Sequence, residues 1–144
     1  VAASVEFHTG LADPLSYACR LLRKAHRQGL RVLVTAPPST LARLDRELWT
    51  FEDREFVPHR RWAGAPDETG VALTPIWLAE RADVPAACPV LVNIGAEPPC
   101  KPATFERVVE LVGREPEEAG AGRERWKRWK ELGLTPEHRN QAAG

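Results

Sequence analysis

The sequence has no methionine, one tyrosine and three cysteines in 144 residues, and its twenty Lys and Arg are cancelled by twenty Asp and Glu. Each shortage excludes something. A formal charge of zero argues against a chain that grips nucleic acid through bulk counterion release, so any charge-driven binding has to be local. Cys19, Cys88 and Cys100 form no C-x-x-C pair and have no histidine at metal-ligand spacing. That pattern points to a reducing compartment, with no disulfide framework and no metal site. No apolar run approaches the length of a membrane span, and Val1 to His8 lacks the basic and long apolar regions of a signal peptide. The expectation is a cytoplasmic protein that has lost its initiator methionine. Phosphate-cradling glycines are missing too. No Gly-Lys-Ser/Thr occurs, Gly95 stands alone before prolines, and Ala36-Pro37-Pro38-Ser39-Thr40 places two residues without N–H where phosphate needs donors. No nucleotide or other cofactor is expected.

What is present is enough apolar residues, 43% of the chain, to build one continuous core, and residues 1–144 read as a single domain. Residues 2 to 7 read as a strand with Val5 and Phe7 on one face. Asp13-Pro14 then supplies an N-cap and a first-turn proline for a helix with Leu15, Ala18, Leu22 and Ala25 inward, ended by Gly29. Arg31 to Ala36 reads as a buried strand, and Pro37 to Thr40 opens a second helix carrying Leu41, Leu44 and Leu48. Short extended pieces are expected at Phe56 to His59 and within Val71 to Leu78, with a mobile loop over about 60–70 between them. Pro89 to Ile94 reads as a central strand and Gly95 to Pro102 as a connection. Val108, Glu110 and Val112 alternate as in a strand, and Pro116 with Glu117 and Glu118 begins a last helix that runs to Leu132, leaving a tail after 134. Strands alternating with helices predict a three-layer α/β fold. Its sheet is mainly parallel and flanked by helices, Rossmann-like but without nucleotide-binding motifs.

No catalytic set is legible. His59 has no serine or cysteine nucleophile with an elbow motif to pair with, so it reads as a strand-end or loop histidine. Arg20, Arg23, Lys24 and Arg27 read as the solvated face of the first helix. Trp49, Phe51 and Phe56 lie in a stretch too polar for full burial, so some of these rings are candidate interface anchors beside the commoner reading as core.

The strongest local signal is Arg123-Glu-Arg-Trp-Lys-Arg-Trp-Lys130. Arg123, Trp126, Lys127 and Lys130 fall at i, i+3, i+4 and i+7 on one helical face, whereas Gly122, Trp129 and Leu132 fall on another. Trp129 is therefore expected inward and Trp126 at the surface, framed by cations. Residues 121 to 144 hold six Lys or Arg against three Asp or Glu, a basic end in a neutral chain. Such a ring among cations suits an acidic ligand with an aromatic or apolar tip, or nucleic-acid phosphate with a base stacked on Trp126.

The succession Arg31-Val-Leu-Val, Leu44-Asp45, Leu48-Trp49, Phe56-Val-Pro-His59, Val108-Val109-Glu110-Leu-Val112 and Ala121-Gly-Arg-Glu-Arg-Trp126-Lys resembles the chi subunit of bacterial DNA polymerase III holoenzyme over nearly the whole chain. The resemblance implies a nucleotide-binding-like fold without nucleotide and a non-catalytic role in the clamp-loader complex. It also implies two partners: the acidic C-terminal tail of single-stranded-DNA-binding protein, and the small subunit psi or an equivalent clamp-loader or helicase partner, with DNA met only indirectly. The tail ends in a phenylalanine. Carried over by position, Arg123 takes its carboxylate, Trp126 stacks on its ring, Val112 lines the floor, and Lys127 and Lys130 attract its acidic residues. Trp49 and Phe56 match the psi-facing surface. This chain departs from the family in having Ala119 where lysine occurs and Trp126 in place of the usual tyrosine. Direct binding of single-stranded nucleic acid by the last helix, and a degenerate nucleotide-dependent enzyme, are the competing expectations.

Overall fold

The computed structural model describes residues 4–50, 57–61, 74–81, 88–98 and 105–140. Chain order is β1 (Ser4–Leu11), α1 (Pro14–Arg27), β2 (Val32–Thr35), α2 (Pro38–Thr50), β3 (His59–Arg61), β4 (Ile76–Ala79), β5 (Val90–Asn93), β6 (Arg107–Gly113), α3 (Pro116–Glu131) and β7 (Glu137–Asn140). The seven strands form one sheet in the order β3-β4-β2-β5-β6-β1-β7. Every pairing is parallel, which bears out the expected α/β architecture.

Local chemistry sets the elements. Asp13 accepts the Ser16 N–H at 3.1 Å and Pro14 occupies the first turn of α1, whose Leu15, Ala18, Cys19 and Leu22 are buried. Gly29 follows with φ +73°, a left-handed conformation that other residues adopt only at a cost. The α1 stripe and the Leu41, Leu44 and Leu48 stripe of α2 cover one face of the sheet, over Val34, Val92, Val109 and Leu111. The opposite face gathers Val5, Phe7, Leu33, Leu91, Val108 and Val112 with Trp129 of α3. Full burial of each large apolar side chain contributes about 1.5–3 kcal/mol, so the two clusters fix both helical layers.

Two differences from the sequence reading bear on function. The stretch after residue 134 is not only a tail, because Glu137–Asn140 form β7 beside β1, with Phe7 opposite His138. Its four side chains are all exposed, so it joins the sheet through backbone pairing and carries no apolar signature. The first two positions of the expected loop at 60–70, Arg60 and Arg61, belong instead to β3. Residues 62–70, Phe51, Phe56 and Cys100 lie outside the described residues.

Candidate functional site

Where α3 crosses the β6–β1–β7 edge, a cavity of about 590 Å³ opens between helix and sheet. The helix contributes Ala119, Gly122, Arg123 and Trp126, β1 contributes Phe7, Thr9 and Gly10, β6 and its end contribute Val112, Gly113 and Arg114, and β7 contributes His138 and Asn140. Glycine makes this space in two ways. Gly10, at φ +72°, lies where the β1–β6 register shifts between His8 and Leu11. At Gly122 an added Cβ would meet Val112 Cγ1 at 2.7 Å and Cγ2 at 2.9 Å, so only glycine lets α3 lie this close to β6. We expect Gly122→Ala to lower stability by about 1–3 kcal/mol through overpacking, despite the better helix propensity of alanine. It should also move Val112, the floor of the cavity. Urea unfolding checks this, and a variant as stable as the wild type would mean that α3 has no such tight seat.

Arg123, Trp126 and Val112 of the sequence reading thus meet in one cavity, with Arg123 exposed and Val112 buried. Trp126 is half-buried rather than at the surface, because Phe7 approaches it edge-on at 5.0 Å and His138 lies edge-on at 6.4 Å. His138 is held by Thr9. Lys127 and Lys130 do not line the cavity. Lys127 reaches instead toward Glu124 at 3.6 Å and lines a separate cavity shared with the segment Gly95–Pro98, and Lys130 lies exposed a turn beyond Trp126. The sequence reading missed Phe7, Thr9, Gly10, Arg114, His138 and Asn140, which come from a strand at the other end of the chain, a turn and the supposed tail. Among the described residues, neither Arg114 nor Arg123 has an acidic partner, and no acidic side chain lines the cavity.

A buried polar cluster seats the helix that carries this wall. Glu110 of β6 is fully buried. Its Oε1 accepts Arg125 Nε at 2.9 Å, and its Oε2 accepts Trp129 Nε1 at 2.7 Å and Asn93 Nδ2 at 3.0 Å. Burial pushes the Glu110 carboxyl above the usual carboxylate range, opposed by the Arg125 charge and by the Trp129 and Asn93 donors. Asn93 in turn accepts from Thr35 at 2.8 Å, so β2, β5, β6 and α3 share one network.

The other sequence candidates separate from this site. His59 is buried, with Nδ1 at 2.8 Å from Val57 O and Nε2 at 2.8 Å from Asp45 Oδ1. It ties β3 to α2, a structural role. Trp49 stands 60% exposed at the end of α2, with His59 at its edge. Burial pushes the Cys19 thiol up to about 12, far from a reactive thiolate. At the carboxyl ends of the central strands, where open α/β sheets usually bind nucleotides, a second cavity of about 480 Å³ is lined by Pro37, Gly95, Asp13, Glu118, Arg43 and Arg125 among others. Its arginines are balanced by acids, and Pro37 offers no N–H.

The fold places the chain among parallel α/β domains. It superimposes on the C-terminal domain of S. cerevisiae Dbp5, solved bound to Gle1 and IP6, with a TM-score of 0.56 over 97% of this chain and 90% of that one, at 9% sequence identity. That likeness concerns architecture alone. The sequence defines the family: residues 3–137 match the DNA polymerase III chi subunit, HolC, and the chain belongs to that family. It is 36% identical over 129 residues to the DNA polymerase III subunit chi of Pseudomonas aeruginosa, covering 85% of this chain and 84% of that protein. An accessory subunit of the replicative polymerase accounts for the resemblance noted in the sequence. No helix among the described residues is long and apolar enough to cross a membrane.

Proposed function

We propose that this chain is a non-catalytic subunit of the clamp-loader complex. It binds the acidic C-terminal tail of single-stranded-DNA-binding protein in the cavity between α3 and the sheet edge, and links that protein to the clamp loader through psi or an equivalent partner. The observation that carries the reading is the pairing of Arg123, a guanidinium without an acidic partner among the described residues, with an apolar wall of Phe7, Val112 and Trp126 in a cavity whose described lining holds no acid. A carboxylate attached to an aromatic ring satisfies both halves at once. Arg123 takes the terminal carboxylate, Trp126 and Phe7 meet the ring edge-on or stacked, and Val112 forms the floor. Lys127 and Lys130, outside the cavity, draw the acidic tail in from a distance. Trp49, the large apolar side chain most exposed among the described residues, supplies the second surface, and Phe56 is assigned to the same partner by the family resemblance alone. The work of such a subunit is in the cytoplasm, as one domain with no cofactor.

Titration of a labelled tail peptide by fluorescence anisotropy tests the proposal. We expect a dissociation constant near micromolar, about −8 kcal/mol, and a loss of more than about tenfold when the terminal carboxylate is amidated. Trp49→Ala should leave this titration unchanged while releasing the psi-side partner. Equal affinity for acid and amide would remove the carboxylate clamp. Tight binding of a single-stranded oligonucleotide in place of the peptide would favour direct nucleic-acid binding instead.

A further inference from the structure

The cavity holds one cation more than a terminal carboxylate needs. Arg114 lies in the turn between β6 and α3, at the end of the groove where the helix begins, while Phe7 and Trp126 mark the other end and Arg123 stands between them. Arg114 is exposed and, like Arg123, has no acidic partner among the described residues. Two guanidinium groups without an acidic partner among the described residues, in a cavity whose described lining holds no acid, suit a ligand bearing two negative groups, set apart by the length of the groove. That length is legible from the helix. From Trp126 back to Ala119 is seven residues, about 10 Å of helical rise, which an extended peptide spans in about three residues.

Resting on the reading of the groove as a site for a peptide C-terminus, we propose that Arg114 is its second anion-binding group and sets its sequence preference. It receives an acidic side chain about three residues before the terminal residue held at Arg123 and Trp126. The peptide runs along the groove with its apolar terminus at the Phe7 end and its acidic residue at the β6–α3 turn. Thr9, Gly10 and Asn140 line the groove between the two. Arg114 thereby distinguishes peptides that share a terminal aromatic residue but differ upstream. Lys127 and Lys130 do not do this, because they lie outside the cavity.

The test uses the full chain and two synthetic eight-residue peptides ending in phenylalanine. Both are neutral upstream except for the third residue before the terminus, which is Asp in one and Asn in the other. The wild type should bind the Asp peptide about three- to tenfold more tightly at low salt, the preference fading as salt is raised, since Arg114 is exposed. Arg114→Ala should bind both peptides with the weaker affinity, and Arg114→Glu should prefer a third peptide carrying Lys at that position. A wild-type preference that survives in Arg114→Ala, or that does not invert in Arg114→Glu, overturns the assignment. Failure of every peptide to bind the wild type overturns the peptide site itself. Binding that Arg123→Ala abolishes while Arg114→Ala leaves the Asp preference intact overturns the role of Arg114 alone.

Discussion

Glu110→Ala is expected to cost about 3–5 kcal/mol of folding stability. The carboxylate lies fully buried between Arg125, Trp129 and Asn93. Removing it strands a guanidinium whose side chain is only 10% exposed, and leaves the indole N–H and an amide N–H without their acceptor. A small domain has roughly 5–15 kcal/mol of stability in all, so the variant should unfold at much lower urea concentration. The cost is that of breaking the pair. Exchanging the pair for apolar groups of similar size, Glu110→Leu with Arg125→Met, should recover a large part of it, although Trp129 and Asn93 still lose a partner. Urea unfolding of the single and double variants decides the matter. A Glu110→Ala protein within about 1 kcal/mol of the wild type would show that water enters the cluster and that α3 is held by apolar contact alone.

That cluster also marks where the sequence stops being legible. The Asp13-Pro14 cap, the α1 stripe, the left-handed Gly29 and the apolar runs of β2 and β5 could be read directly, because each is fixed by neighbours a few residues away. So could the separation of Trp129 from Trp126, which helical spacing alone decides. Arg125 went unnoticed although it falls at i+3 from Gly122 and i−4 from Trp129, on the inward face. The available signal was a charge in each of two apolar stripes, Arg125 in α3 and Glu110 among Val108, Val109, Leu111 and Val112. Opposite charges in facing stripes are cheapest when paired with each other.

The second wall of the cavity was out of reach for a different reason. Thr9 and His138 touch across nearly the whole chain, and β7 offers only Glu, His, Arg and Asn, so nothing in its pattern identifies a strand. Its position beside β1 follows from backbone pairing. The cavity takes up only part of the helical face that groups Lys127 and Lys130 with Arg123 and Trp126. A helical wheel ranks residues by angle, but the cavity meets only one flank of α3 near Arg123 and Trp126, and Lys127 lies over the other.

Arg123→Ala should nearly abolish binding of an acidic peptide C-terminus, at a cost of about 2–5 kcal/mol or a factor of tens to thousands. Among the described residues the guanidinium has no acidic partner, so its hydrogen-bonding capacity is available to the ligand. Docking an aromatic ring against Phe7 and Trp126 removes water from around the new ion pair and strengthens it. Without Arg123 the terminal carboxylate would enter a partly apolar cavity with no donor of matching geometry. Arg123→Lys should recover only part of the affinity, since an ammonium keeps the charge and loses the planar, two-pronged contact. Folding stability should change by less than about 0.5 kcal/mol in either variant, because the position is exposed on a helix and both replacements favour helix. Affinity and stability therefore separate at Arg123, whereas at Glu110 they fall together. Peptide titration beside urea unfolding of the same three proteins shows which pattern holds. An Arg123→Ala protein that is equally stable and still binds the peptide within twofold of the wild type would refute the carboxylate clamp.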